Sequence, residues 1–469
     1  MIDIFLYRRA LTRGIAAVIL SIPQPDRGLA ARRCRERGAI ATFLLLMLVG
    51  VWVPVQAQSE PPPPLPPELI LSQALQIAVE GNPGLAEMRA RAQAAAEVPS
   101  QVGTLPDPKL NLNALNLPVD TFDRGQEAMT QMQVGVSQSF PFPGKLRLRR
   151  EMAAYEAEAA SQSVEEVRLR LLRDVKNVWW EQVYLGRAIA IVESNLALIN
   201  QFIDIANTKY SVGKGLQQDV LLGQVERGRL HDRLIQLQGM QGAIAARLNA
   251  LLARPQNTAF RLPEQIDETL PELPGPERFL DESRNLRPLL AAVESRVKAA
   301  QANRDLAEKS FYPDFTLGAN YGLRKGQNAG GGDRADFFSV MLSVDIPLYA
   351  GSKQRKLLSQ RRAELIGQNN ALLDTENRVD ADIQAAWYDY QRAREQAQLF
   401  LTGIIPQSRQ TVESMLVGYQ VNKVDFLNLM QSQISLYNFE QQYWRTLTQA
   451  RQALAELAAA SGRDSIDEN

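Results

Sequence analysis

The residue types that do chemistry are scarce in this chain. His231 is the only histidine and Cys34 the only cysteine among 469 residues. Soft-metal sites need clustered Cys, His or Met, and the ten methionines are scattered, so no metal centre and no cofactor are expected. No nucleophile stands beside a base, and there is neither a phosphate-binding glycine loop nor a carboxylate pair above the background of charged helices. The chain reads as a non-enzyme. His231 is expected on an exposed helix face, and Trp179 and Trp180 as packing residues. Lys plus Arg and Asp plus Glu both number 52, a balance that gives no general attraction to nucleic acid. What recurs at regular spacing is proline, glycine, tyrosine and asparagine, residues whose chemistry is conformational.

These recurrences define an internal repeat. Leu105-Pro106-Asp107-Pro108 returns as Tyr312-Pro313-Asp314-Phe315. Phe140-Pro141-Phe142-Pro143-Gly144-Lys145 returns as Ile346-Pro347-Leu348-Tyr349-Ala350-Gly351-Ser352-Lys353. Tyr210-Ser211-Val212-Gly213-Lys214 returns as Tyr419-Gln420-Val421-Asn422-Lys423. Each unit predicts helix, strand, loop, strand, long helix, turn, helix. The first helices are expected over about Ser72–Val98 and Leu289–Lys309. Pro141, Pro143 and Gly144, and in the second copy Pro347 and Gly351, mark kinks from strand to helix.

The strands alternate with period two. Phe315, Leu317, Ala319, Tyr321 and Leu323 alternate with Thr316, Gly318, Asn320 and Gly322. Phe338, Val340, Leu342, Val344 and Ile346 alternate with Ser339, Met341, Ser343 and Asp345. Met132, Val134 and Val136 do so with Gln131, Gln133, Gly135 and Ser137, and Lys109–Leu117 begins the same way. A half-buried soluble sheet would alternate equally well. A barrel with lipid outside and water inside would too, and the polar sides here carry little charge. Four strands cannot close a barrel wide enough for transport, so the barrel reading requires several chains; three would supply twelve strands. Residues 118–130 and 324–336 are the loops between paired strands.

Each stretch from Gly144 to Val212 and from Gly351 to Gly418 predicts a rod about 100 Å long at 1.5 Å per residue. Leu358, Leu365, Leu372, Val379, Ala386, Ala393 and Phe400 fall at intervals of seven, with Ile383, Tyr390, Ala397 and Ile404 as a second row. That is a coiled-coil seam. Pro406 is the one proline in either stretch. Return helices run to about Ala253 and Ala460.

At the N-terminus, arginines 32, 33, 35 and 37 precede the apolar run 39–55, which ends in Val55-Gln56-Ala57. This is the layout of a secretory signal peptide; a membrane anchor is the alternative. Cys34 would leave with the signal, and a chain free of thiols suits an oxidising compartment. No later apolar run approaches the length of a membrane span. The division follows: 1–57 extension and signal, 58–67 proline-rich arm, 68–254 first repeat, 255–280 proline-rich connector, 281–460 second repeat, 461–469 tail.

The repeat, the kinks and the turns YSVGKGLQQDVL and YQVNKVDFLNLM resemble the TolC family of outer-membrane efflux proteins over about residues 68–460. The segment from Leu105 to Ala160 is similar more narrowly to the heavy-metal branch, the CzcC/CusC-like proteins. The resemblance implies a mainly α fold with a membrane β-barrel portion. It would be a homotrimer of twelve strands continuing into a coiled-coil tunnel of twelve helices. It would sit in the outer-membrane lipid and reach through the periplasm to a periplasmic adaptor and an inner-membrane pump of the resistance-nodulation-division (RND) class. The duct would be passive, with heavy-metal cations as cargo; a multidrug or type I secretion channel is the alternative within the family. A periplasmic coiled-coil adaptor or scaffold is the alternative outside it, and a secreted hydrolase finds no catalytic residues. The resemblance also implies a gate contact between the turns, falling here on Asp219 and Tyr419. A carboxylate at Asp219 would equally suit the start of a helix. The sequence departs from the family pattern beside the second turn. Asn422 replaces glycine, Val424 replaces an arginine next to Lys423, and Asn428 and Gln431 replace aspartates. Any acidic ring would come from Asp219 or Asp425.

Overall fold

The computed structural model describes residues 68–466. The signal reading of 1–57, the arm at 58–67, Cys34 and residues 467–469 lie outside the described residues.

Each repeat opens with helices broken by proline. Where periodicity predicts one helix over Ser72–Val98, the chain forms α1 (Leu71–Gly81), α2 (Pro83–Ala96) and α3 (Val98–Gly103). Pro83 and Pro99 each sit in the first turn of a new helix, where the missing N–H costs nothing. Asn82 caps α2, accepting from the Leu85 N–H at 3.1 Å. Strands β1 (Lys109–Leu115) and β2 (Gln131–Phe140) follow, then α4 (Lys145–Ser211) and the return helix α5 (Gln217–Leu251).

The second copy repeats this order with α6 (Pro276–Leu286), α7 (Pro288–Lys309), β3 (Asp314–Leu323), β4 (Phe337–Asp345) and α8 (Gln354–Leu399). The expected connector thus turns helical at Pro276. The second rod is not continuous. A five-residue π turn, Phe400–Ile404, separates α8 from α9 (Ile405–Gln420). Pro406 is the reason: its ring cannot meet the carbonyl one turn back in an α-helix, and widening the preceding turn relieves the clash. The last helix, α10, runs Phe426–Ser461.

The four strands form one antiparallel sheet in the order β1-β2-β3-β4. Its register sorts the side chains into rows. Leu110, Val136, Ala319 and Val340 lie across from one another, as do Leu112, Val134, Tyr321 and Phe338. The rows between them hold Asn111, Gly135, Asn320 and Ser339, and Asn113, Gln133, Gly322 and Phe337. One face is therefore apolar but for Gln138, opposite Leu317, and the other mostly polar or small. The apolar face is uncovered: Leu112 is 73% and Leu342 65% exposed. β1 and β4 each have one partner strand among the described residues, so both outer edges are open.

The helices pack in the pattern that the repeat dictates. α4 lies against α5, α7 and α10, and α8 against α7 and α10. Trp179 and Trp180 are buried with Leu69, Ala74, Ala78 and Leu248, and the Trp179 indole N–H donates to the Leu69 carbonyl at 3.2 Å. In the second copy Phe279, Leu290, Val379, Ile383 and Leu457 form the corresponding core. The heptad seam is buried at Val379, Ile383, Ala386, Tyr390, Ala393 and Ala397, and only half-buried at Leu358, Leu365 and Leu372. One stretch within α4, though not an unbroken apolar run, is long and apolar enough on average to cross a membrane by composition. A third of that stretch is buried, and Val192, Ile199 and Ile203 of α4 pack in a core shared with α5 and α10.

Candidate functional site at the paired helical turns

The two hairpins end in turns of the same construction. After α4, the Val212 N–H donates to Thr208 O, Gly213 N–H to Tyr210 O at 3.0 Å and Lys214 N–H to Lys209 O at 2.8 Å. After α9, Val421 donates to Val417 O, Asn422 to Tyr419 O at 3.2 Å and Lys423 to Gly418 O at 2.8 Å. These bonds satisfy the free carbonyls of a helix end and require one left-handed residue. Gly213 supplies it at φ +72° and Asn422 at φ +59°. Asparagine tolerates that region better than other side chains, so the departure from glycine leaves the turn intact.

Asp219 and Tyr419 meet across the hairpins. Tyr419, in the last turn of α9, is 4% exposed, and its hydroxyl donates to Asp219 Oδ2 at 3.3 Å. Asp219, in the first turn of α5, is itself buried. Burial, followed by the Asp219 charge and the hydrogen bond to it, pushes the Tyr419 hydroxyl up to about 12. The tyrosine therefore keeps its proton at neutral pH and serves the carboxylate as a donor.

Lys209, which the sequence reading did not single out, completes the contact. Its ammonium donates to the Tyr419 carbonyl and lies 4.1 Å from the centroid of the Tyr419 ring. A cation at that carbonyl suits the negative end of α9, and one over a ring face gains from its quadrupole. On the other side Phe426 packs on Tyr419, with ring centroids 5.3 Å apart. One turn further along, Gly223 gives room for Ile203, whose Cγ1 would lie 2.6 Å from an added Cβ. Higher up, Gln433 Nε2 donates to Asn195 Oδ1 at 2.6 Å, a second buried polar link between the repeats.

The other expected turn residues do not join this cluster. Lys423, Asp425 and Asn428 are exposed. Asp425 stands at the start of α10 without capping it through its side chain. His231 is exposed on α5. Among the described residues no group of three His, Cys, Asp or Glu could hold a metal ion.

At the far end of the rods lie the kinks. Gly144, at φ +93°, turns β2 into α4 behind Pro141 and Pro143. Lys145 follows it, buried, with Nζ 2.8 Å from Asp314 Oδ1 and 2.9 Å from Tyr312 O. Asp314 also accepts from the Phe142 N–H at 2.7 Å, and Phe142 stacks on Tyr312 at 4.5 Å. The second kink differs. Gly351 is not left-handed, and Pro347 leads instead into a turn over residues 348–353 before α8.

Two sheet strands, a kink, a rod, a turn and a return rod, all present twice, match one family throughout. The profile of the outer membrane efflux proteins covers residues 74–254 and 279–463. The chain belongs to the outer membrane efflux protein family. As a member it is an efflux channel of the outer membrane, with no catalytic step. The cobalt-zinc-cadmium resistance protein CzcC of Cupriavidus metallidurans is 20% identical over 398 residues, which are 84% of this chain and 90% of CzcC. The pyoverdine export outer membrane protein OpmQ of Pseudomonas putida is 23% identical over 431 residues, 83% of this chain and 84% of OpmQ. Among solved structures, the outer membrane protein VceC of Vibrio cholerae superposes with a TM-score of 0.70 at 20% identity. That match covers 84% of this chain and 96% of VceC. The efflux-protein fold is thereby shared.

Proposed function

We propose that three copies of this chain close a twelve-stranded barrel in outer-membrane lipid and extend it through the periplasm as a tunnel of twelve helices. The observation that carries this reading is the sheet. One face is apolar but for Gln138 and is uncovered, the other is mostly polar or small, and both edges are open. Each large aliphatic side chain on that face gains about 1.5–3 kcal/mol on leaving water, and an open strand edge is not tolerated in lipid. Closure by further copies answers both demands. A periplasmic adaptor or scaffold would have no use for such a face.

In this reading the helical turns meet a periplasmic adaptor and an RND pump, which supplies the energy. The Asp219–Tyr419 contact, backed by Lys209, holds the two hairpins of each protomer together and keeps the tunnel end narrow. The cargo is heavy-metal cations, a reading supported by the likeness to the cobalt-zinc-cadmium protein over nine-tenths of its length. Cations would pass without a binding site, since the pump selects them and the duct need only conduct. The match to a pyoverdine exporter favours organic cargo as the second reading. Growth of a deletion strain, with and without the restored gene, on graded zinc, cadmium, cobalt, copper and silver salts beside antibiotics and bile salts separates the two. The account expects sensitivity confined to metals and restored by the gene; sensitivity to drugs and detergents alone would overturn the metal assignment.

A further inference from the structure

The junction between the repeats exists once inside this chain, and its two unmatched halves lie at the open edges. Inside, β2 pairs with β3, so that Ser139 faces Thr316 and Gln138 faces Leu317. Ser139 Oγ and Thr316 Oγ1 are 2.8 Å apart. Below the strands, Lys145 pairs with Asp314 and Phe142 stacks on Tyr312. α4 lies along α7.

The repeat maps each of these partners onto an edge. Pro141 corresponds to Pro347, so Phe142, Ser139 and Gln138 correspond to Leu348, Asp345 and Val344. Asp314 corresponds to Asp107, so Tyr312, Thr316 and Leu317 correspond to Leu105, Lys109 and Leu110. Lys145 corresponds to Lys353. Every mapped residue is left without its counterpart. Leu348 is 80% exposed and Leu105 is exposed too, although Phe142 is half-buried on Tyr312. Asp107, Lys109, Asp345 and Lys353 are exposed, and among the described residues none of these side chains has a hydrogen bond or ion pair. Lys353 shares a cleft with Lys145, Arg149, Asp314 and Asp345, and Asp107 lines a second cleft with Arg149 of its own chain.

We propose that a second copy of this chain docks its β1 edge on β4 in one fixed register, set by two ion pairs: Lys353 with Asp107 of the neighbour, and Asp345 with Lys109 of the neighbour. The inference rests on the trimeric reading above and adds to it the residues that fix the seam. The charges complement each other pairwise, and the mapping keeps faces matched. With Asp345 opposite Lys109 on the polar side, Val344 falls opposite Leu110 and Leu342 opposite Leu112 on the apolar side. A slip of one residue would turn every lipid-facing side chain inward. Lys353 then repeats the role of Lys145, drawing the start of a rod onto the base of the next strand.

Charge reversal tests the seam in the full-length protein, purified in detergent and heated before electrophoresis. Lys353→Glu and Asp107→Lys are each expected to lower the temperature at which the trimer dissociates, and the double exchange to restore it; the Asp345/Lys109 exchange should behave alike. The register has its own readout. Leu110→Cys with Val344→Cys should give disulfide-linked dimers and trimers, because facing residues on antiparallel strands lie within disulfide reach, whereas Leu110→Cys with Leu342→Cys should not. A trimeric wild type whose reversals are not rescued, or which cross-links in the shifted register, overturns the seam and leaves the trimer standing. A monomeric wild type overturns both.

Discussion

Tyr419 and Asp219 meet at 3.3 Å, longer than the usual hydroxyl–oxygen distance of about 2.5–3.0 Å. Hydrogen bonds to charged groups contribute about 1.5–3 kcal/mol at normal length, so this one belongs at or below the lower end. A weak latch suits the proposed gate, which has to open. Tyr419→Phe and Asp219→Ala should each destabilise the closed turns by about 1 kcal/mol, and the double variant by less than the sum of the two; additive losses in a denaturation cycle would deny the coupling. The raised hydroxyl value gives a pH sign. Because the folded state holds the Tyr419 proton more tightly than the unfolded chain, the contribution is complete below the ordinary tyrosine value and fades as pH rises toward about 12. The difference in stability between wild type and Tyr419→Phe should therefore be constant around neutral pH and shrink only in strong alkali. Asp219 and Tyr419 could be singled out only through the family resemblance, which places them six residues after Gly213 and three before Asn422. Lys209 could not. A lysine in the last turn of a helix reads as a solvated cation near its own carbonyls, and nothing local says that it serves the carbonyl of Tyr419, 210 residues away. The repeat held a faint signal, since its counterpart in the second hairpin is Gly418.

At the scale of elements, that exchange has a steric cause. In the first turn Gly215 lies against Lys209, and an added Cβ would come within 2.9 Å of the Lys209 Cβ and the Tyr210 nitrogen. In the second, Gly418 lies against Val424, where an added Cβ would meet Val424 Cγ2 at 2.6 Å. Each turn brings its exit so close to the preceding helix that one member of the pair has no side chain, and the repeats place that glycine on opposite sides. Gly418→Ala should cost about 1–3 kcal/mol by overpacking, and Val424→Ala should recover much of it. Gly213→Ala should cost about 1–2 kcal/mol through its backbone alone, because no atom lies within 4 Å of the added Cβ, and Gly213→Asn less. Thermal unfolding checks all of these. Period-two alternation made the strands legible, and freedom from proline made α4 legible. The π turn was not foreseen, although Pro406 stood in plain view. A proline in a long helix can break it, kink it or widen one turn, and packing decides which. The cut at Pro83 likewise depends on Asn82, whose amide caps α2 and also donates to the Leu251 carbonyl at 3.1 Å, a tertiary contact with no local signature.

At the scale of the whole molecule, the sheet divides substitutions by face. On the apolar face, Leu342→Arg should cost about 2–4 kcal/mol in a bilayer and abolish assembly in the outer membrane. Ser339→Arg, on the polar face, should leave assembly intact. Fractionation of the two variants reads the difference directly, and equal behaviour would mean that the apolar face does not meet lipid. The alternation of residues showed that two faces exist, but not whether lipid or a protein core covers the apolar one. The register and the bare side chains at Leu112 and Leu342 show that nothing in the described residues covers it, and the proposed barrel assigns that place to lipid. The number of chains is likewise a matter of open edges, which a single sequence expresses only through the counting of strands.

The most direct test of the account is single-channel conductance of the purified protein in planar bilayers, for wild type beside Asp219→Ala. Discrete steps are expected from both, small and mostly closed for wild type and markedly larger for the variant. A folded protein that inserts and gives no conductance steps in either form would contradict it.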